Sequence, residues 1–265
     1  VGLEVGSRGR LNGDFYADTE LSDGVALAVT GGFKNRDGVG DFLNLPNAGV
    51  EVGETKEVFA RLALRFEPSD DVAITIAADM NDGEGGLRPY TTLIDELGAS
   101  CRATAPNPPV DCVGINGALY NAGYRNSDVS SDPFDNNTGQ ASQTVVTNQA
   151  EGIALTVDWN ISDSTAAKIV ASNRSSEYKS GLDDDSFEDN FLSFPETGEA
   201  DQTSLELQLS GDMGEWDYVA GIYYFNEEGS NFQDGYFFNG AGPFDFFLEQ
   251  EVTSTALFAN VGYDS

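Results

Sequence analysis

Histidine is absent from this chain of 265 residues, and its absence excludes several kinds of active site. Without an imidazole there is neither a Ser-His-Asp triad nor a histidine-based zinc site. No glycine-rich loop follows a strand and opens a helix, so the chain also lacks the signature of a phosphate-binding cradle. The sequence therefore predicts a protein that is not an enzyme and that holds no cofactor and no metal.

Basic residues are scarce: 13 Lys and Arg stand against 45 Asp and Glu, which gives a formal net charge of −32. Binding to nucleic acid needs clustered Lys and Arg for the phosphates, so we expect no nucleic-acid partner. A strong acidic bias also occurs in disordered and in salt-adapted chains. Regularly spaced Phe, Tyr, Val and Leu argue against disorder, whereas adaptation to high salt stays open.

Long apolar runs are missing too, and with them the sign of a membrane helix. No apolar run approaches the roughly 18 residues that a membrane-spanning helix needs. The start of the chain, at Val1, also lacks the basic and then apolar segments of a secretory signal. We expect either a mature chain or a piece of a longer one.

Cysteine occurs only at Cys101 and Cys112, in a stretch that contains the segment PNPPVD. In an oxidising compartment a disulfide between them would close a small loop and stabilise the fold by about 3 kcal/mol. Two free thiols are the alternative, and two cysteines without histidine make a poor set of metal ligands. We predict a disulfide between Cys101 and Cys112.

What the chain does contain is alternation of apolar and polar residues, seen first in LALRFEPSDDVAITIAADMNDG at 62–83. The apolar faces of its two segments carry Val58, Ala60, Leu62, Leu64 and Phe66, then Val72, Ile74, Ile76, Ala78 and Met80. This period of two predicts two β-strands. The polar residues Ser69, Asp70 and Asp71 predict a tight turn between them. Pro68 is expected to end the first strand because proline cannot donate to the ladder.

The length of the alternation favours strands that cross a membrane. Strands of soluble proteins average about five or six residues. A strand that crosses a bilayer needs about 9 to 11 residues, and both segments hold their alternation for roughly that span. A soluble β-sandwich, whose inner face is also apolar at every second residue, is the alternative.

The same pattern recurs along the chain with connections of two kinds. Short turns are predicted at LSDG (21–24), EPSDD (67–71), ISDS (161–164) and GDMGE (211–215). Long connections are predicted at 34–54, 81–142, 180–200 and 227–250. In an antiparallel meander, alternate connections lie at opposite ends. The pattern predicts an all-β, antiparallel transmembrane β-barrel meander, incomplete at about nine to ten strands, with short periplasmic turns and long extracellular loops.

The face opposite the apolar one is polar. Its residues include Arg61, Arg65, Asp79, Lys168, Arg174, Glu206 and Gln208. In a barrel these side chains would line a wet interior. In a sandwich they would form the solvated face, so they do not separate the two interpretations.

Three stretches resemble barrel hairpins of TonB-dependent outer-membrane receptors. They are ADTELSDGVALAVTGGFKNRDGVGDFLN at 17–44, NQAEGIALTVDWNISDSTAAKIVASNRSSEY at 148–178, and QTSLELQLSGDMGEWDYVAGIYYFNEEGSNF at 202–232, followed by TALFANVGYD. The resemblance covers nearly all the strand segments and little of the long connections. The order of the motifs along the chain is a stronger signal than any one of them.

The resemblance implies a barrel of about 22 strands filled by an N-terminal plug. Such receptors import scarce ligands, most often ferric siderophores, with energy from the TonB complex, which pulls on a segment ahead of the plug. Neither plug nor TonB box is recognisable here, and the final residues GYDS lack the aromatic residue expected of a closing barrel strand. We therefore expect residues 1–265 to be part of a receptor barrel domain, without the plug and the C-terminal strands.

Ligand contacts are expected from the long connections and the upper lumen, because aromatic and Arg side chains are the usual anchors at recognition surfaces. The candidates are Arg88, Tyr90, Tyr120, Tyr124, Arg125, Phe232, Tyr236 and Phe237. Packing within the loops is the alternative for each residue. A ferric siderophore is the expected ligand because it is the most frequent one in the family.

The resemblance also implies a location in the bacterial outer membrane. The partners it implies are membrane lipid, lipopolysaccharide and, through the missing N-terminal region, the TonB complex. The acidic stretch GLDDDSFEDN at 181–190 lacks the ligand spacing of a calcium loop, so we interpret it as a solvated loop. Two other functions remain open: a passive porin-like channel, and a secreted or surface β-sandwich binding module similar to an adhesin.

Overall fold

The computed structural model describes residues 1–91, 132–183, 192–237 and 244–263, which form a sheet of ten antiparallel strands in chain order. The strands are β1 (Gly2–Val5), β2 (Leu11–Ser22), β3 (Val25–Arg36), β4 (Thr55–Ser69), β5 (Val72–Gly86), β6 (Val145–Ser162), β7 (Thr165–Asp183), β8 (Leu192–Met213), β9 (Trp216–Phe237) and β10 (Phe244–Tyr263). A short 3₁₀ helix, Ala141–Gln143, precedes β6. Within these ranges no helix is long and apolar enough to span a membrane.

The register confirms the predicted division of the strands into two faces. Leu62 lies opposite Ala78, and Leu64 lies opposite Ile76, so the apolar sides of β4 and β5 coincide. One row of directly paired residues is apolar across eight strands: Val25, Phe66, Ile74, Val157, Ile169, Leu207, Ile222 and Leu257. We call this side of the sheet the apolar face and the opposite side the polar face.

The four predicted short turns are all present, each with two residues between its paired strand ends. The turns of the three similar motifs share a register irregularity in the strand that enters them. Gly24 occupies the second turn position with φ of 70°, a left-handed conformation that glycine adopts without steric cost. Pro68 does not end its strand as predicted, because β4 continues to Ser69 through such an irregularity, where a ladder donor is not required.

Backbone hydrogen bonds link each of these three turns to the next hairpin. The N–H of Glu67 donates to Gly24 O at 2.7 Å, and the N–H of Asn160 donates to Asp71 O at 2.8 Å. The N–H of Asp212 donates to the carbonyl of Ser164 at 3.0 Å. In each pair the acceptor is the second turn residue and the donor lies on the first strand of the following hairpin.

The strands are longer than the alternation predicts. β8 and β9 each have 22 residues, and β7 has 19. The connections predicted at 180–200 and 227–250 are therefore wrong over most of their length, since β7, β8, β9 and β10 occupy much of them. Beyond an apolar layer both faces of a strand meet water, so hydrogen bonding continues while the alternation that identifies a strand in sequence is lost.

The sheet is open at both edges within the described ranges. β1 pairs with β2, β10 pairs with β9, and no other described strand adjoins either edge. Nine full strands and the short β1 agree with the predicted strand number. An open meander of this kind is the predicted incomplete barrel wall.

Candidate functional site

A small apolar core lies at the end of the sheet opposite the short turns. Val52 is fully buried, and Phe42 and Leu87 are 6% and 4% exposed. Val146, at the start of β6, packs against them together with residues of the segment 37–54. The core therefore fixes the connection between β3 and β4 onto the ends of β5 and β6.

Two glycines at the end of β5 make room for this connection. A Cβ atom at Gly86 would overlap the carbonyl oxygen of Glu51, and one at Gly85 would overlap that of Glu54. The N–H of Gly53 donates to Leu87 O at 2.9 Å. The turn at 51–54 thus lies directly against bare backbone, which only glycine allows at this approach.

Asn136 joins the segments around this core. Its backbone forms isolated bridges to both Phe42 and Tyr90, and its side chain is fully buried. The side-chain amide donates to Arg88 O at 2.9 Å, and its oxygen accepts from the N–H of Thr138 at 2.8 Å. A buried amide whose nitrogen and oxygen are both hydrogen bonded holds the segments on either side of the long connection together.

Glu54 is the charged residue whose hydrogen bonds and ion pair stabilise the turn at 51–54. Burial by itself raises the pKa of this carboxyl group, but the hydrogen bond from Lys56 and that from the N–H of Glu51, at 3.0 Å, outweigh burial and leave the pKa below its ordinary value. Lys56 also forms an ion pair with Glu54, whose side chain is 14% exposed. The carboxylate is therefore held ionised at the entrance to β4.

A cleft of about 480 Å³ adjoins this assembly, within the size range of small-molecule sites. Its lining includes Arg88, Asn81, Asn148 and the bare backbone at Gly83. Seven other basic side chains of the described ranges form ion pairs with carboxylates. Arg88 has no such partner within those ranges, and it is exposed where it lines the cleft.

The predicted ligand residues fall into separate places. Arg88 lines the cleft, whereas Tyr90 is tied by its backbone to Asp135 and Asn137 at 3.1 and 3.0 Å. Phe232 lies on β9, shares the apolar face with Tyr224, and is 41% exposed. Tyr236 and Phe237 also belong to β9 and pair with Ser193 and Leu192. Three strands separate the two groups, so the described ranges do not bring the candidates together.

The remaining candidates lie outside the described residues. They are Tyr120, Tyr124, Arg125 and the cysteine pair Cys101 and Cys112. Phe232, Tyr236 and Phe237 were expected in a long connection and lie in a strand instead, because β9 extends past its apolar stretch. The assignment of all eight residues to ligand binding stays a prediction.

A second feature is a row of charged residues on the polar face. Arg61 Nη1 lies 3.3 Å from Asp79 Oδ1, and Arg174 Nη2 lies 2.6 Å from Asp79 Oδ2. Gly152 occupies the position between Asp79 and Arg174 in the register. The row continues through Gln202 to Glu227, whose side chains are hydrogen bonded. Both arginines are about half exposed, so the row forms a polar surface across six strands.

Sequence reasoning identified Arg88, Arg61, Asp79 and Arg174, but missed how they are supported. The sequence signal for the surface on which the turn at 51–54 packs was DGEGG at 82–86, where glycine recurs at the end of a strand. Asn136 had no comparable signal, because its partners lie in segments distant along the chain. Within the described ranges no group of three His, Cys, Asp or Glu residues is placed to hold a metal ion.

Comparisons with known proteins agree on the fold. No protein-family model and no curated protein matches the chain. Solved structures do match it, and several of them are receptors. FpvA of P. aeruginosa bound to a heterologous pyoverdine is 13% identical, with a TM-score of 0.66 over 99% of this chain and 34% of that one.

Two other receptors give the same result. The ferripyoverdine receptor of the outer membrane of Pseudomonas aeruginosa, bound to ferripyoverdine, is 16% identical, with a TM-score of 0.65 over 98% of this chain and 34% of that chain. The ferric-catecholate import receptor Fiu from K12 E. coli is 9% identical, with a TM-score of 0.60 over 97% and 37% of the two chains. The chain thus spans about a third of the length of these receptors.

At these low sequence identities the similarity concerns the fold alone. The ten strands have the architecture of part of an outer-membrane receptor barrel, in agreement with the open meander and its two faces. The predicted fold class, and the resemblance of the hairpins to receptor barrels, are confirmed at this level. The two faces then acquire a physical meaning, because the outward face of such a barrel meets lipid and the inward face meets a wet lumen.

Proposed function

We propose that the chain forms part of the barrel of a TonB-dependent outer-membrane receptor that binds and imports a scarce ligand, a ferric siderophore being the first candidate. All of residues 1–265 belong to the barrel domain in this proposal. The apolar face contacts membrane lipid, and the polar face lines the lumen. The chain carries no catalytic role.

The observation that carries the proposal is the fold match over nearly the whole chain. The matched structures include receptors described with ferripyoverdine and with ferric catecholate, and a copper transporter, OprC, with a TM-score of 0.56. Each of these three is named for a metal or a metal complex that it binds or transports. The rows of the sheet support the same assignment, since apolar residues line one face while Arg61, Asp79 and Arg174 line the other.

The cleft beside Arg88 is the proposed place of ligand contact in the described ranges. It lies at the end opposite the short turns, which is the extracellular end in receptors of this architecture. A guanidinium without a carboxylate partner in the described ranges suits the oxygen atoms of a ferric chelate, because carboxylate, phosphate and phenolate oxygens accept its fixed pair of donors. Residues of the long connections complete the site.

The test is uptake by cells that produce the full-length protein containing this chain. In an iron-limited strain that lacks the gene, we expect loss of growth on one ferric siderophore and recovery on complementation. Energy dependence separates the receptor from a passive porin-like channel: a protonophore abolishes receptor-mediated uptake and leaves diffusion unchanged. Growth on every ferric siderophore and every chelated metal tested, with or without the gene, would refute the proposal.

A further inference from the structure

Charged residues near the end of the sheet opposite the short turns, which we call the upper end, pair across the strands in two different ways. On β3, β4 and β5 they lie opposite charges of the other sign: Lys34 pairs with Glu57, and Lys56 pairs with Glu84. Lys34 Nζ lies 3.1 Å from Glu57 Oε2. Attraction between these side chains therefore supports the pairing of the three strands at their upper ends.

On β8, β9 and β10 the residues at the upper end are carboxylates that lie opposite one another. Asp201 lies opposite Glu228, and Glu228 lies opposite Glu251, so three carboxylates share one row across three adjacent strands. The next row pairs Glu177 of β7 with Glu199 of β8. All five residues are exposed. We call these five residues the acidic rows.

Basic residues that could compensate for the acidic rows are missing from the same strands. Lys179, two residues after Glu177, is the last basic residue of the chain. The segments of β8, β9 and β10 therefore contain neither Lys nor Arg. Like charges that lie directly opposite one another on neighbouring strands weaken the pairing of those strands.

The acidic rows lie outside the part of these strands that carries apolar side chains. One row closer to the short turns, Asn226 lies between Thr203 and Thr253. Leu205 and Tyr224 begin the apolar rows only beyond these polar residues. Few apolar contacts hold the upper ends together, so the free energy of local opening is small there and responds to a modest change in charge repulsion.

We propose that the upper ends of β8, β9 and β10 form a salt-responsive part of the sheet, in which strand pairing strengthens as dissolved ions screen the acidic rows. The Debye length falls from about 30 Å at 0.01 M to about 3 Å at 1 M ionic strength. The Cβ atoms of directly paired residues are about 5 Å apart, so screening at high salt reaches even these neighbours. It requires no ion at a fixed position. The upper ends of β3, β4 and β5 respond in the opposite sense, because salt weakens attractive pairs.

The test is amide hydrogen exchange, followed by mass spectrometry, of the full-length protein containing this chain in uncharged detergent. Exchange is compared at ionic strengths of about 0.01 M and about 1 M sodium chloride and corrected for intrinsic rates. We expect residues 199–203, 226–230 and 249–253 to exchange roughly tenfold more slowly at high salt. Residues 33–36 and 55–58, at the upper ends of β3 and β4, are the internal control and should exchange no more slowly. The same salt response in both sets, or none in either, would overturn the proposal.

Variants assign the response to the acidic rows. Glu228→Gln removes the carboxylate that two like-charge pairs share, and we expect slower exchange at low salt and loss of most of the salt response. Glu206→Gln is the matched control, because it removes one charge from β8 at a position that pairs with Val170 and Tyr223. Heat-dependent mobility in detergent gels checks that both variants fold. A wild-type salt response in Glu228→Gln would also contradict the proposal.

Calcium separates screening from binding at a defined site. Added at about 1 mM, the range of weak extracellular calcium sites, with the ionic strength held constant, it should leave exchange of the three segments unchanged. Protection by this concentration that a chelator reverses would overturn the proposal, because the carboxylates would then bind a cation. Strand pairing of this kind is the same in a receptor and in a passive channel. Failure of the uptake test would therefore refute the proposed function and leave the salt response standing.

Discussion

Arg174 reaches across an intervening strand to Asp79, with 2.6 Å between Nη2 and Oδ2. The two residues belong to β7 and β5, and Gly152 of β6 lies between them. A Cβ atom at Gly152 would lie 3.0 Å from Arg174 Nη2, closer than most side-chain contacts allow. The absence of a side chain on one strand thus permits an ion pair between its two neighbours.

Gly152→Val is expected to break this ion pair. An exposed ion pair contributes about 1 kcal/mol or less, so the loss should lower the thermal midpoint of the barrel modestly. The measurement is heat-dependent mobility of the full-length protein in detergent gels. Ala154→Val, two residues further along the polar side of β6, is the control and should leave the midpoint unchanged. An Asp79→Asn variant that matches wild type would contradict the assigned role of the pair.

Gly86→Ala is expected to dislodge the turn at 51–54, because the new methyl group overlaps the carbonyl oxygen of Glu51. The strands remain paired, but the core of Phe42, Val52 and Leu87 opens to water. Limited proteolysis should then cut within residues 37–54 several times faster. Gly83→Ala is the matched control, since its Cβ would meet Asn148 O at an ordinary 3.4 Å. Equal cleavage in both variants would show that this connection does not depend on its close packing against Gly86.

Asn136→Leu is expected to loosen the segments beside the cleft. The substitution leaves Arg88 O and the N–H of Thr138 without their partners, at about 1–3 kcal/mol for each unsatisfied buried group. Hydrogen exchange of residues 132–140 should accelerate while that of β8 stays unchanged. Protection equal to wild type at 132–140 would mean that backbone contacts alone hold this segment.

The turn at 51–54 should respond to pH through Glu54. Its pKa lies below the ordinary value, so its ionised form stabilises the turn at pH above the unfolded pKa of about 4.3. That contribution is lost as the pH falls through the folded pKa. Hydrogen exchange of residues 51–54, corrected for intrinsic rates, should therefore accelerate below about pH 4. Glu54→Gln should show faster exchange at neutral pH and no further acid step, while Glu57→Gln, whose carboxylate pairs with Lys34 and not with Lys56, should behave as wild type.

Arg88→Ala is expected to lower uptake of the imported ligand by roughly tenfold, because a charge-assisted hydrogen bond is lost. The measurement is the concentration of ligand that gives half-maximal uptake in complemented cells. Arg10→Ala is the control, since this basic residue lies in the connection between β1 and β2 and pairs with Glu4. Uptake by the Arg88 variant at the wild-type level would remove the cleft from the ligand site.

Much of the sheet could be predicted because alternation is a local signal. Leu62 and Leu64 identify one face of β4 without any knowledge of β5, and the turns at Asp23 and Asp70 follow from residues next to them. The upper part of β9 could not be predicted, because Glu228 and Ser230 share a face with Tyr224 there and the alternation ends.

The candidate site was less predictable, since its contacts join distant segments. Asp41 N lies 3.1 Å from Asp135 Oδ1, and 94 positions separate these residues along the chain. No period or motif encodes such a pairing. Arg88 was identified by residue type, but its place beside Gly83 and Asn148 depends on how the connection at 37–54 folds back.

The hydrogen bonds that leave the short turns have an evolutionary consequence. Gly24, Asp71 and Ser164 each accept from the first strand of the following hairpin, so three such links join four successive hairpins, and the two middle hairpins both supply an acceptor and receive one. A duplicated or deleted hairpin would carry both halves of this link with it. Deletion of a single strand would reverse the direction of the chain after it and leave a donor N–H or an acceptor carbonyl without its partner. Barrels with these links should therefore gain or lose strands two at a time during evolution, because the hairpin is the unit that is duplicated or deleted.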